Sequence, residues 1–334
     1  MKKYSYVGID ISKKTLDVAI CQGANSKFED EDHIKVSNDK DGFRYIMTWL
    51  KEKKITAKKV IFGMENTGLY GFELRLFLEQ KNIPYSVYMP LDLKLSMGLV
   101  RGKNDKVDAF RIAYYTWLHR EELRFSKLSG TTILKLQRLN AERKRYIREC
   151  AEHKAFENEN KGKKTNSTIE RNTKMVEILQ KEIFAIEEEM QDIIKNDEAL
   201  KKNYDLLLSI KGIGPVNAIS TIIHTDNFQS FDNARQYACY IGVAPFEHLS
   251  GTSVKGRTKV SSCGAIQLKA ELTQAARSAI VHDDELKLYY ERKAGEGKAF
   301  GVIMNAVKFK LICRMFAVIK RGTPYVMRKS FLCD

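Results

Sequence analysis

The sequence predicts a mixed α/β sheet covered by helices, then two long antiparallel helices forming a coiled coil, then a mainly α-helical C-terminal part. Three observations predict it. Short strand patterns come first as a hairpin and then alternate with helical patterns, the order expected of a sheet with helices packed on it. A narrow stripe of apolar residues spaced by threes and fours (Met175, Leu179, Ile183, Ile186, Met190, Ile193) runs through charged surroundings, as in a coiled-coil seam. The closing run Val302–Ile319 is apolar enough for a core helix, and Lys308, Lys310 and Arg314 interrupt it too often for a membrane span. The parts are expected at residues 1–128, 129–203 and 204–334.

Taken in order, Tyr4–Asp10 alternates apolar and polar residues and ends on an acid, and Thr15–Ile20 alternates again, so a turn joins two strands. A third strand is expected at His33–Val36. Phe43, Ile46, Trp49 and Leu50 give Gly42–Lys54 helical spacing. Lys59–Glu65 is a continuous apolar run of the kind a strand buried on both faces requires, and it too ends on an acid. A helix over about 70–82, a strand at Tyr85–Tyr88 and further helices follow. The middle part places Leu134, Leu136, Leu139 and Tyr146 on its first helix. A gap without large apolar residues, 161–168, marks the turn before the stripe. The two helices can pack only on each other or build a dimer. A homodimer or higher homo-oligomer is the favoured expectation, because a stripe on an extended arm has little other core to bury against.

The 334 residues carry a formal net charge of +15, which favours a polyanionic partner; nucleic acid is the default and an anionic membrane surface the competitor. Hydrophobic content of 43% supports packed cores rather than disorder. The chain enters a strand pattern almost at once, so no signal peptide is expected. The six cysteines lack C-x-x-C spacing and the six histidines do not cluster, so a zinc site is not expected and a reducing cytoplasmic setting is.

Asp10 and Glu65 stand at the ends of core strands, where an open α/β sheet places its ligands. Asp105 and Asp108 are three residues apart as a helix begins, which puts both on one face, about 5–6 Å apart at Cβ. Acids also favour a first helical turn through the dipole alone. Four carboxylates from separate elements can instead converge on two Mg²⁺ (or Mn²⁺) ions, which take oxygen ligands and, as a pair, activate an attacking oxygen in phosphoryl transfer. Lys103 and Lys106 flank these acids as nucleic-acid contacts. Asp17 is the alternative acid, mid-strand and expected on the solvent face of the hairpin.

Further on, Leu208–Val216 is similar to the hairpin of a helix-hairpin-helix. Gly212 and Gly214 would let backbone amides approach a phosphate beside Lys211, and Pro215 suits the first turn of the next helix. The segment 248–259 combines hydroxyls, glycines and the cations Lys255, Arg257 and Lys259 without an acid. That composition suits phosphate binding, and equally a solvated basic loop.

Gly8-Ile9-Asp10-Ile11-Ser12, Met64-Glu65-Asn66-Thr67-Gly68 and Asn104-Asp105-Lys106-Val107-Asp108-Ala109 resemble the acidic motifs of the DEDD transposases of bacterial insertion sequences, the "one-hundred-and-ten" group. Ser-Gly followed by Ser-Val-basic-Gly at 250–256 resembles the transposase domain of the same group, in the expected order along the chain. The resemblance implies a RuvC-like, RNase H-fold N-terminal domain with Asp10, Glu65, Asp105 and Asp108 as metal ligands. It implies that Ser250 attacks DNA to form a covalent phosphoserine link, with Ser253 and Thr252 as nearest rivals. It also implies a noncoding bridge RNA that selects donor and target DNA, no membrane association, and a nucleoid-associated place in a bacterial cytoplasm. Lys259–Gly264 departs from the group's second serine segment by lacking the lysine before the glycine. Tyr325 is expected to be structural. Three other readings stand beside this one: a junction-resolving endonuclease using water, an actin- or sugar-kinase-type ATPase suggested by Gly8–Ser12, and a non-catalytic scaffold.

Overall fold

A computed structural model describes residues 4–23, 32–96, 105–162, 167–246, 249–250, 254–255, 259–260 and 265–326. The chain divides into two compact units, Met1–Leu128 and Ser129–Asp334.

The first unit is built on strands β1 (Ser5–Ile11), β2 (Thr15–Cys21), β3 (His33–Ser37), β4 (Val60–Glu65) and β5 (Tyr85–Tyr88), in the order β3-β2-β1-β4-β5. The hairpin partners β1–β2 and β2–β3 run antiparallel, while β1–β4 and β4–β5 run parallel. Alternation of side chains along each strand sends two different sets to the two faces. Val7, Ile9 and Ile11 join Val18, Ile20, Phe62 and Met64 beneath α1 (Lys40–Glu52) and α2 (Phe72–Gln80), which contribute Phe43, Ile46, Trp49, Leu50, Leu74 and Leu78. Each such side chain, fully buried, is worth about 1.5–3 kcal/mol of transfer free energy. Helix α1 starts two residues before the expected Gly42, because the Asp39 carboxylate caps it, accepting from the amides of Asp41 and Gly42 at 3.0 and 2.9 Å. A short α3 (Pro90–Ser96) precedes α4 (Asp105–Leu118), which covers the opposite face of the sheet.

The approach of α4 rests on two glycines. A Cβ at Gly8 would lie 2.0 Å from the Ala109 carbonyl oxygen, and one at Gly63 would lie 2.0 Å from Thr116 Oγ1. With hydrogen in both places the helix backbone lies directly on the strands. Ala113 and Phe110 then pack with Tyr6, Cys21 and Ile61.

In the second unit, α5 (Thr131–Glu159) and α6 (Ser167–Lys195) form the two long antiparallel helices. Near the tip the seam is the small cluster Cys150, Val176 and Leu179. His153 Nδ1 lies 2.7 Å from Asn172 Oδ1, and the Asn172 amide donates to the His153 carbonyl at 2.9 Å. The base differs from expectation. Ile133 and Leu136 of α5 and Ile186, Met190 and Ile194 of α6 are buried in one core with the helices that follow. The lower stripe therefore does find a core within its own chain.

That core is completed by α7 (Glu198–Leu208), α8 (Pro215–Thr225), α9 (Ala234–Ile241), α10 (Ile266–His282), α11 (Asp284–Gly295) and α12 (Phe300–Arg321). Between α9 and α10 lie four two-residue strands, β6 (Pro245–Phe246), β7 (Leu249–Ser250), β8 (Val254–Lys255) and β9 (Lys259–Val260), paired β6–β9 and β7–β8. Lys308, on the core helix α12, is 5% exposed and its ammonium is 3.3 Å from Thr273 Oγ1; burial lowers its pKa. Among the described residues no helix is long and apolar enough to cross a membrane.

Candidate functional site

Gly8 and Gly63 face α4, so by alternation Asp10 and Glu65 face it too. Ile9 pairs with Met64 in parallel register, which sets Asp10 and Glu65 side by side at the carboxyl ends of neighbouring strands. Helix α4 runs back along the sheet from that end: Ala109 lies over Gly8, while Ala113 and Trp117 reach Tyr6 and Ile61. Its first turn, with Asp105 and Asp108, therefore lies at the same end of the sheet as Asp10 and Glu65. Asp105 and Lys106 are exposed, and Asp10, Glu65 and Asp108 are half-buried.

The side chains do not close into a ligand set. Among the described residues no three His, Cys, Asp or Glu side chains stand together as they would around an ion. Asp108 instead takes the guanidinium of Arg111, one turn on, at 2.9 Å. Four carboxylates that converge repel one another unless a cation lies between them. The donors themselves, all carboxylate oxygens on rigid elements, suit a hard divalent cation.

Asp17 does not lie on the solvent face. It is 5% exposed, since α4 covers β2 as well as β1. Asp17 is paired directly with Asp10 across the hairpin and with Lys35 on β3. Its two oxygens are occupied by His33 Nε2 at 2.9 Å and Lys35 Nζ at 3.0 Å. The row Asp10–Asp17–Lys35 thus lies across one face of the sheet. The hydrogen bond and charge of Asp17 raise the Lys35 pKa, with further contributions from Asp105 and Asp10, so this ammonium stands within electrostatic reach of the candidate site. Sequence reading missed Lys35. The signal was an acid and a base at opposed positions of adjacent strands, visible only once the register is known.

In the second unit the hairpin after α7 divides its glycines between two tasks. Gly212 has φ +90°, and a Cβ there would meet the Ala275 carbonyl oxygen at 2.6 Å and Ala279 Cβ at 2.7 Å, so its bare backbone faces α10. Gly214 has open space around it and is the N-cap of α8, with Pro215 in the first turn. The amides available to an anion are therefore those at the start of α8, beside the exposed Lys211. Ser250 lies on β7 with its backbone paired to Val254; only the backbone of Ser250, Lys255 and Lys259 is described. Lys103, Arg257, Thr252 and Ser253 lie outside the described residues. Tyr325 is tied into the second unit: its amide donates to Ser209 Oγ at 2.8 Å. Its ring lies 4.6 Å from the Arg314 guanidinium, which also holds the buried Asp283 at 2.8 Å.

Residues 7–156 match the profile of IS110-type DEDD transposases, described as a transposase, and residues 204–291 match that of the transposase IS116/IS110/IS902 family. The chain is 24% identical over 328 residues to the pilin gene-inverting protein of Moraxella bovis, spanning 97% of this chain and 98% of that protein. The pilin gene-inverting protein of Moraxella lacunata gives the same identity and coverage. The insertion element IS110 uncharacterized 43.6 kDa protein of Streptomyces coelicolor is 27% identical over 157 residues, 46% of this chain and 38% of that protein.

Proposed function

The chain belongs to the IS116/IS110/IS902 family of transposases, and from that premise we propose that it cuts and rejoins DNA through a covalent phosphoserine at Ser250. The carboxylates of Asp10, Glu65, Asp105 and Asp108 serve as the metal ligands. The observation that carries the reading is the meeting of two strand ends with the first turn of α4 at one end of the sheet. Three antiparallel strands followed by two parallel ones, in the order β3-β2-β1-β4-β5, also suit an RNase H-like fold.

In the reaction the Ser250 hydroxyl attacks the phosphorus of a scissile phosphodiester. The Oγ–P bond forms, the bond from phosphorus to one sugar oxygen breaks, the serine proton is lost and the departing oxygen gains one. A serine hydroxyl is a weak nucleophile until it is activated. Mg²⁺ or Mn²⁺, two per site and held by those four carboxylates, would supply that activation and stabilise the departing oxygen. Asp108 would turn from Arg111 to the cation, and Lys35, held by Asp17, would add positive charge at that end of the sheet. A second attack, by a sugar hydroxyl of the partner strand on the phosphoserine, releases Ser250 and joins the DNA.

Lys103, Lys106, Lys211, Gly214, Lys255, Arg257 and Lys259 contact the nucleic-acid backbone. A noncoding bridge RNA selects donor and target DNA by base pairing. The protein acts as a homo-oligomer, paired through the arm of α5 and α6, in the bacterial cytoplasm.

The test is a denaturing gel of the protein incubated with Mg²⁺ and labelled donor DNA, with the adduct mapped by mass spectrometry. Wild type gives an adduct on Ser250 and Ser250→Ala gives none. Undiminished recombination by Ser250→Ala would favour water as the nucleophile, as in a junction-resolving endonuclease.

A further inference from the structure

The second unit holds a cavity of about 440 Å³ between α5, α8 and α10. Gln137, Asn140 and Lys144 line it from α5, His224 from α8 and Gln267 from α10, with Arg145 and Arg148 at its edge. The volume is that of a site for one small ligand rather than a packing defect.

Its chemistry is graded. Asn140 is 5% exposed, yet its amide makes no hydrogen bond to a described residue. It lines the cavity, so its donor and acceptor are open to whatever enters. His224 stands beside it with the Tyr240 hydroxyl 3.4 Å from Nδ1. Burial, aided by the charge of Lys144, lowers the imidazole pKa to about 4, so it is neutral at physiological pH. The Lys144 ammonium is spent on Glu271 at 3.3 Å, and the other Glu271 oxygen is buried without a partner. The interior is thus polar but carries no net charge. The edge is different: Arg148 is exposed and forms no ion pair among the described residues, while Arg145 lies over Tyr146 and is held by Glu142 at 3.7 Å and Glu149 at 3.8 Å.

Three amides and a neutral imidazole inside suit a ligand with uncharged donors and acceptors on one planar body. Cations at the mouth suit an anion attached to it. We propose that this cavity is a nucleotide-binding pocket, taking one base turned out of a bound strand while the adjoining phosphate meets Arg148. Asn and Gln side chains pair bidentately with base edges, and unstacked bases are the ones a protein can read in this way. The proposal rests on the reading that the protein engages nucleic acid, and it gives the arm's base a role in holding a strand as well as in packing. A free mononucleotide shares the same chemistry and is the other source of the ligand.

The experiment measures binding of the full-length protein to a single-stranded deoxyoligonucleotide by fluorescence anisotropy across a salt series. A single 2-aminopurine is moved along the strand in parallel. Wild type should brighten the 2-aminopurine at one position only, where the base leaves its stack. Asn140→Leu should abolish that signal and weaken binding about tenfold without changing the salt dependence. Arg148→Ala should weaken binding and lower the slope of log affinity against log salt by about one. Thermal melting of each variant separates loss of binding from loss of fold. An abasic site at the brightened position should make wild type and Asn140→Leu bind equally. If Asn140→Leu binds and brightens as wild type does, the pocket is overturned and the reading as a nucleic-acid enzyme stands. If wild type binds no oligonucleotide, that reading itself fails. Saturable binding of adenosine monophosphate, lost in Asn140→Leu while oligonucleotide binding is unchanged, would overturn the extruded base and leave the free nucleotide as ligand.

Discussion

Replacing Gly8 by Ala tests how α4 is held over the sheet. The new methyl carbon would start 2.0 Å from the Ala109 carbonyl oxygen and 2.3 Å from the Ala113 amide nitrogen. Both are backbone atoms of a helix, so neither can rotate away. Ordinary contact begins at 3.4 Å, so α4 must withdraw by about 1 Å or more. Overpacking of this kind costs about 1–3 kcal/mol, and a contact with backbone on both sides belongs at the upper end. Gly63→Ala is the internal control. Its methyl would meet Thr116 Oγ1, a side-chain atom that can turn, although it would lose hydrogen bonds to the Ile112 carbonyl at 2.7 Å and to Tyr88 at 3.1 Å. Adding Thr116→Ala should therefore recover part of the Gly63→Ala loss and none of the Gly8→Ala loss, a difference that a double-mutant cycle isolates. Urea unfolding gives the energies. Calorimetric titration with Mn²⁺ gives the second readout, because α4 carries Asp105 and Asp108. Wild-type stability and wild-type Mn²⁺ affinity in Gly8→Ala would refute the close seating of α4 and the site built on it.

Other outcomes follow from particular contacts. Asp17→Asn should lower stability by about 1–3 kcal/mol, because a buried carboxylate that holds both His33 and Lys35 is lost. Mn²⁺ affinity in that variant should stay at the wild-type value, and a tenfold drop would make Asp17 a ligand after all. His224, with a folded pKa of about 4 against about 6.5 unfolded, takes up a proton more readily in the unfolded chain. Its contribution is therefore present above pH 6.5 and lost as pH falls toward 4, at most about 3 kcal/mol, and His224→Gln should flatten stability against pH across that window. Met175 and Ile178 are 44% and 53% exposed on one flank of the arm's seam. If the arm pairs two copies, Ile178→Lys should shift sedimentation toward monomer, and a wild-type protein monomeric at all concentrations would end that reading.

The sequence carried most of the first unit because its signals are local. An alternating strand that ends on an acid can be read from consecutive residues, and both Asp10 and Glu65 fall at strand ends as that pattern requires. What failed depended on a second layer. Asp17 reads as solvent-facing as long as β1 and β2 form a hairpin with one free side; the helix that buries it begins almost ninety residues later. Gly8 reads as part of an acidic motif, and its contact with Ala109 appears only when α4 is laid down. The stripe on α6 gave the seam, but not the burial of its lower half, because Ile186, Met190 and Ile194 look like their neighbours nearer the tip. The cavity around Asn140 had no legible signal, since its walls come from three helices spread over more than a hundred residues.

The two ends of that arm are constrained differently. Its foot is locked into a core by Ile133, Leu136, Met190 and Ile194, so the direction in which it leaves the second unit is fixed by packing. Among the described residues its tip is held by the small cluster Cys150, Val176 and Leu179 and by the His153–Asn172 pair. Length can therefore change at the tip in matched steps of seven residues per helix, which keep the seam in phase, while the foot stays as it is. The arm behaves as an adjustable ruler on a fixed mount, able to set the spacing between whatever its two ends engage without redesign of the body that carries it.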